Sequence, residues 1–463
     1  MKIFRRIALL AGITFGPASF AQDSLNVHLL YHWDEDTIPG SAAFNNQYDD
    51  VWGYVQGGSE YAIIGSSLGT HLFDVTDAIN AEEVAFIPGA VQGPMLVHRD
   101  MKTYQHYLYI VCDEGPGTLQ IVDLQYLPDS AVIVYDSNAL FTRAHNIFID
   151  TLHARLYTCG GNSGFGVYDL ADPEQPVELL IADQDLPWWN NAIGYVHDMY
   201  ARDNVAYLND QDAMHIVSFT DPFSPVILGS LTNYPQAGYD HSGWLNDDGT
   251  VYVLADETHG NDLKLFDVTD PTDIQFIDTI GVEWSVNSIP HNPLINGDLL
   301  HVSYYYDGYW LWDISDPGNS QVLGYYDTYP EPTGTSYKGA WGVYPFLPSG
   351  HVLVSDMQHG LFVFDVDQAL TAREHELRPP DLRVWPNPTS GPVRISPLVG
   401  VGGPTTIRVI DPAGRIAAQL RPRSLEQGAW TMDLTGLPAG VYVVRVECGA
   451  RVLHHRLILT GAP

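Results

Sequence analysis

The chain has 463 residues, of which 45% are hydrophobic and 12% aromatic, ample for packed cores and too apolar for a mainly disordered protein. Its formal net charge of −35 excludes nucleic acid and anionic lipid surfaces as partners, because both require cationic surface to release counterions. Cations and cationic ligands are favoured instead.

The first predicted element is an export signal over residues 1–21, with a basic start at Lys2, Arg5 and Arg6, an apolar stretch from Ile7 to Phe15, and a small-x-small cleavage site at Ser19-Phe20-Ala21. The mature chain then begins at Gln22. The apolar stretch is too short for the roughly 30 Å of a bilayer's hydrocarbon, and no later segment spans it, so no transmembrane segment is expected. Cys112 and Cys159 occupy matching places in neighbouring repeats and Cys448 lies far away, so no disulfide framework is implied and stability must come from burial.

From residue 22 to about 370 the chain repeats itself with a period of about 48 residues. One phrase is an apolar strand ending in Asp, then an apolar residue, a small residue and Asp-Pro, as in Phe266-Asp267-Val268-Thr269-Asp270-Pro271 and Trp312-Asp313-Ile314-Ser315-Asp316-Pro317. With looser copies at Val122-Asp123-Leu124 and Phe364-Asp365-Val366-Asp367 it occurs seven times. A second phrase runs in step upstream of the first: Asp50-Val51-Trp52, Val97-His98, Ala144-His145-Asn146, Val196-His197-Asp198, Asp240-His241, Pro290-His291-Asn292 and Ala340-Trp341. Each repeat holds four short strands, and four strands at this period predict an all-β fold, a seven-bladed β-propeller. The last repeat lacks a fourth strand, which Val27–Trp33 is expected to supply, closing the ring and removing a free sheet edge. The Asp-Pro step predicts a tight turn between third and fourth strands.

The run Tyr48-Asp49-Asp50-Val51-Trp52-Gly53, then Glu60-Tyr61-Ala62-Ile63-Ile64-Gly65 and Phe73-Asp74-Val75-Thr76-Asp77, with His98-Arg99-Asp100, resembles the choice-of-anchor B proteins. These are exported bacterial proteins built from LVIVP-type propeller repeats. The resemblance covers roughly residues 26 to 370 and implies a fold and surface display, not a reaction.

A linker is expected over 371–382, around Arg378-Pro379-Pro380, and the charge balance changes across it. Residues 22–380 carry 51 acidic and 9 basic side chains, whereas residues 381–463 carry 5 and 9. The tail, 383–463, contains Val384-Trp385-Pro386-Asn387-Pro388-Thr389-Ser390-Gly391 and Leu434-Thr435-Gly436-Leu437-Pro438-Ala439-Gly440-Val441-Tyr442, and resembles the type A sorting domain of type IX secretion, a small immunoglobulin-like β-sandwich. That resemblance implies handling by the type IX machinery, passage through the outer membrane, removal of the tail, and either release or attachment to surface polysaccharide. The expected location is extracellular or on the outer-membrane surface.

A propeller's first strands line the central channel. His98, His145, His197, His241 and His291 come from five successive repeats at one equivalent position, so they are expected to ring one mouth of that channel, with Trp52 and Trp341 in the two remaining places. Asp113, Asp210, Asp256 and Asp356, with Glu114, Glu257 and Asp307, are expected to border the same mouth. Imidazoles backed by carboxylates suit zinc, copper, iron or manganese, which makes His145, His197, His241 and His291 candidate ligands of a transition metal. Crowded imidazoles also supply the ingredients of general acid–base catalysis. A packing role, with each imidazole bonded to loop backbone to fix blade spacing, accounts for the same pattern. The Asp residues ending the third strands are expected to be turn acceptors, and Trp188-Trp189-Asn190-Asn191 either a sugar-stacking loop or an apolar plug.

No phosphate loop, nucleophile elbow, His-Glu-x-x-His pair or paired metal cysteine is present in the sequence. The reading is therefore an exported binding or interaction module for a glycan, a protein or a cationic ligand. The alternatives are a metal-dependent hydrolase or lyase using the histidine ring, and a purely structural surface protein.

Overall fold

The computed structural model describes residues 23–377 apart from 163 and 283–286, together with 382–397, 405–411, 415–422, 429–448 and 451–460. The expected signal at 1–21 and the Arg378-Pro379-Pro380 step lie outside the described residues. The chain divides into two compact units, Met1–Thr371 and Ala372–Pro463.

Among the described residues of the first unit seven antiparallel sheets follow one another. The first contains Tyr48–Gln56, Ser59–Ser66, Gly69–Asp74 and Glu82–Pro88 in spatial as well as chain order, and the next four repeat that plan. The innermost strands are Tyr48–Gln56, Arg99–Tyr104, Asn146–Asp150, Asp198–Arg202, Asp240–Leu245, Asn292–Asn296 and Ala340–Tyr344; each packs on the innermost strand of the next sheet, and the last returns to the first. The second strands are buried on both faces, which is why Leu108-Tyr109-Ile110-Val111 and Tyr252-Val253-Leu254-Ala255 read as unbroken apolar runs. Outer strands such as Val132–Ser137 are partly exposed.

Two details recur around the ring. Every pairing of third and fourth strands contains a register shift at the same place, for example between Leu72 and Phe73 and between Leu311 and Trp312. Such a bulge bends the strand and increases its twist. Except in the fourth sheet, whose third strand ends in Ser218, the Asp that ends the third strand accepts the amide two residues on, with Asp123 to Gln125, Asp169 to Ala171, Asp267 to Thr269, Asp313 to Ser315 and Asp365 to Asp367 all at 2.8–2.9 Å. These are the turn acceptors expected from the sequence.

The seventh sheet takes its outer strand from the N-terminus: His28–Trp33 pairs with Gly360–Asp365, with Leu29 opposite Phe364 and Trp33 opposite Leu361. Ser24–Leu25 goes further and adds a fifth strand to the sixth sheet, against Tyr325 and Tyr326. The expected linker from 371 begins inside a helix, Asp367–Leu377, whose Ala, Leu, Arg and Glu are strong helix formers.

The second unit has a three-stranded sheet of Leu382–Trp385, Val393–Pro397 and Trp430–Met432 and a four-stranded sheet ordered Ile416–Leu420, Thr405–Ile410, Gly440–Cys448, Arg451–Leu459. One core joins them, containing Leu382, Val384, Val393, Ile395, Ile407, Val409, Trp430, Val444 and Leu457. No helix among the described residues is long and apolar enough to cross a membrane.

Candidate functional site

The five histidines meet. Each sits at the entry of an innermost strand, and their ring centroids are 4.5 Å apart from His98 to His145, 4.3 Å from His145 to His197, 4.5 Å from His197 to His241 and 4.6 Å from His241 to His291. Trp341 completes the circle, 4.2 Å from His291 and 5.3 Å from His98. The ring therefore has six members, and Trp52 is not among them.

Strand register explains the correction. In the seventh sheet Ala340 faces Asp356 and Val343 faces Val354, with Trp341 and Gly342 bulged between; in the first sheet Tyr48 faces Ser66 and Val51 faces Ile64, with Asp49 and Asp50 between. Asp49 thus stands where Trp341 does. Trp52 lies three residues further along its strand, where its indole N–H donates to Thr103 Oγ1 at 3.1 Å and its face carries Lys102 Nζ at 4.5 Å. It borders a small channel cavity of about 40 Å³ with Asp50, Asp100, Lys102 and Asp198. There Lys102 is held 2.5 Å from Asp100 and 3.8 Å from Asp50. Burial first, and then the Asp100 charge, push Asp198 up to about 6.

The six-membered ring floors a mouth cavity of about 760 Å³. His98, His145, His197, His241 and Trp341 face it, while His291 closes the circle beneath. Aromatic walls come from Phe44, Tyr239, Tyr305 and Tyr337, and acids from Asp113, Glu114 and Glu257. The other expected acids close their own loops instead: Asp210 accepts the Ala213 amide at 2.6 Å, Asp256 holds Lys264 and the Tyr234 hydroxyl, Asp356 accepts from Thr328 at 2.8 Å, and Asp307 accepts from Ser288.

The repeat pattern of the sequence does not single out Phe44, Tyr239, Tyr305 or Tyr337. Tyr195-Val196-His197 and Tyr239-Asp240-His241 carry the one available signal, a Tyr two residues before a ring histidine. Tyr239 pairs with His197 Nδ1 at 3.0 Å, and Tyr195 at 3.4 Å. Trp189 is fully buried, stacks on Phe165 at 5.1 Å and donates to the Gly194 carbonyl at 2.9 Å, so it plugs its sheet.

Hydrogen bonding divides the imidazoles. His145 Nδ1 donates to Asp113 Oδ2 at 3.0 Å, His291 Nδ1 donates to the Trp341 carbonyl at 2.6 Å, and His98 Nε2 lies 3.1 Å from Asn146 Oδ1. His98 Nδ1, His197 Nε2, His241 Nδ1 and His291 Nε2 are buried without a partner. A buried polar atom left so costs about 1–3 kcal/mol. That concentration in one place is not what residues serving only to fix blade spacing would show.

Protonation divides them too. Burial, and then the His145 charge, lower His98 to about 4; burial lowers His291 to about 3 against the pull of its carbonyl bond. Burial and the neighbouring imidazoles hold His197 and His241 well below the ordinary value. Burial acts on His145 in the same sense, but the Asp113 hydrogen bond and the charges of Asp113, Asp198 and Glu257 outweigh it and raise that imidazole. His145 is thus the one ring imidazole whose surroundings favour the protonated form, while those of the other four disfavour it. Glu257, raised by burial, accepts the Tyr305 hydroxyl.

Among the described residues two groups of ligand atoms lie within 4.8 Å of one another: His145, His197 and His241, and His241, Glu257 and His291. The first group has two unpartnered nitrogens, on His197 and His241, and a third imidazole whose Nδ1 is occupied by a carboxylate.

Residues 383–460 match the secretion-system C-terminal sorting domain. The tail is therefore a type IX sorting domain, and the chain is exported to the cell surface or the extracellular space. No curated protein matches the chain significantly. Among solved structures, the chain is similar to the β-propeller domain of Cps50 (Swd1) from Myceliophteria thermophila, with TM-score 0.51 and 9% identity over 73% of this chain and 99% of that one. It is also similar to the extracellular domain of a hybrid two-component system from B. thetaiotaomicron, with TM-score 0.51 and 12% identity over 94% of this chain and 57% of that one. At such identities the likeness concerns the fold alone, and the fold of the body is a β-propeller.

Proposed function

We propose that this protein is an exported seven-bladed propeller that works as a binding module, taking a small neutral or cationic ligand, such as a glycan end or an organic ammonium group, in its histidine-floored mouth. The observation that carries this is the mouth cavity itself: about 760 Å³, walled by aromatic rings, edged by Asp113, Glu114 and Glu257, with no Lys or Arg among its described lining residues. Aromatic faces suit sugar rings and cations, and the carboxylates repel anions. The resemblance of residues 26–370 to choice-of-anchor B proteins supports a role at the surface. In this reading the tail is an immunoglobulin-like sandwich that delivers the body for attachment to surface polysaccharide or for release.

The test is a panel of neutral oligosaccharides and alkylammonium compounds, titrated into chelator-treated protein and into Tyr337→Ala and Phe44→Ala variants. Loss of one aromatic wall is expected to weaken a bound member about tenfold. Equal affinity in wild type and variants places binding elsewhere, and no binding across the panel removes the small-ligand reading. A second reading, hydrolase or lyase chemistry, draws on the His145–Asp113 pair, whose imidazole faces the cavity where a general base would act. Turnover of a panel member lost in His145→Gln supports it.

A further inference from the structure

We propose that His145, His197 and His241 together hold one divalent first-row transition-metal ion at the floor of the mouth, with a remaining coordination position facing the cavity. The inference deepens the mouth reading above and rests on it for what reaches that position.

Donor chemistry is the first ground. Three imidazoles from adjacent sheets place a nitrogen each within 4.8 Å of the others, and an ion with metal–nitrogen bonds of about 2.0–2.1 Å would draw them slightly inward. Three neutral nitrogen donors with one open position suit zinc, copper or cobalt, not magnesium or calcium, which take oxygen.

The second ground is what stands behind the donors. A metal-binding imidazole has one nitrogen free and the other tied to a carboxylate, carbonyl or hydroxyl, which fixes tautomer and orientation. His145 is tied through Nδ1 to Asp113 at 3.0 Å, and His197 through Nδ1 to Tyr239 at 3.0 Å. The free atoms are unpartnered and buried: His197 Nε2, and on the next ring His241 Nδ1. His301 also leaves one buried nitrogen, Nε2, unpartnered, but alone, whereas the mouth gathers four; an imidazole fully engaged in structure uses both nitrogens. His215 shows that arrangement in the same chain, with Nδ1 2.7 Å from Ser230 and Nε2 3.0 Å from Asp210.

The third ground is the neighbourhood. Glu257 and His291 form a further group with His241, so additional donors stand next to the ion without being required by it. Trp341 and Tyr305 pack on His291.

The test uses the full chain, stripped with a chelator and titrated with Co²⁺, reading both the heat of binding and the ligand-field absorption band. Saturation at one ion per chain, with a band of tetrahedral or five-coordinate intensity, is expected. Simultaneous His145→Gln, His197→Gln and His241→Gln changes are expected to abolish it, while His301→Gln, a buried histidine outside the ring, leaves it unchanged. Should the triple variant not fold, Asp113→Asn keeps all three donors and is expected to weaken Co²⁺ about 10- to 100-fold with little change in metal-free melting temperature. No saturable binding by wild type, or binding unaltered in the triple variant or in Asp113→Asn, overturns the assignment. The mouth reading is tested with chelator present, so either can fail without the other.

Discussion

His301 is as deeply buried as the ring histidines but does not line the mouth cavity. Its Nδ1 lies 2.8 Å from the Tyr309 hydroxyl, its Nε2 has no partner, and burial lowers it to about 3. Above pH 6.5 it is neutral folded or unfolded and contributes nothing to the pH dependence of stability. Below that value the unfolded chain takes up a proton that the folded chain refuses, so stability falls as pH drops, by up to about 1.4 kcal/mol per unit, until the folded group titrates near 3. Carboxylates such as Asp307 and Asp356, raised by burial to about 6, act in the opposite sense: each destabilises as pH rises from the unfolded carboxylate value toward 6. The two effects separate in a difference measurement. Urea midpoints of wild type and His301→Gln, followed from pH 7 to 5, should show wild type losing ground to the variant only below pH 6.5. Parallel curves would mean that His301 is protonated in the fold.

At the scale of the element, what could be read from the sequence was local. The period, the four-strand unit, the Asx turn after most third strands and the strand Val27–Trp33 that completes the last sheet all depend on residues within one repeat or on a match between two of them. His28–Trp33 does pair with Gly360–Asp365, and its Trp33 packs on Phe73 of the first sheet at 4.8 Å, so one short strand both fills an edge and spans the closure. Removing residues 23–33 is therefore expected to cost at least about 3 kcal/mol, from the lost burial of Leu29, Tyr31 and Trp33 alone, and to produce oligomers through the bared edge. Calorimetry and gel filtration would show it; an unchanged melting temperature in a monomer would contradict closure by this strand. Ring membership was less legible. The second phrase matches Trp52 to Trp341, but strand register matches Trp341 to Asp49, the first residue of a two-residue bulge that both sheets share. Bulges add a residue without changing residue type, so composition does not announce them. Phe44, Tyr239 and Tyr337 escaped for a related reason: they reach the mouth from loops, whose path no period sets.

For the whole molecule, charge is the feature that sequence reading and fold describe equally well. Residues 22–380 contain 51 acids against 9 bases, and few of those acids have a cation to face: among the described residues of the first unit Lys102 pairs with Asp100 and Asp50, and Lys264 with Asp256. Most of the rest lie in turns and outer strands in contact with water. A compact body with so large an excess of one sign repels itself, and the repulsion relaxes when the chain expands. Dissolved salt screens it, with a Debye length falling from about 30 Å at 0.01 M to about 3 Å at 1 M. Surface ion pairs would respond in the opposite way, weakening as salt rises, but they are too few here to dominate. Raising sodium chloride across that range should therefore raise the melting temperature of the first unit, and most of the gain should come before the Debye length falls below the spacing of neighbouring carboxylates. The second unit, nearly balanced between signs, should respond far less. A calorimetric trace with two transitions, of which only the one absent from a chain lacking residues 382–463 stays fixed in salt, would establish this. A first unit indifferent to salt would instead mean that bound cations already neutralise its surface, and dialysis against chelator should then restore the dependence.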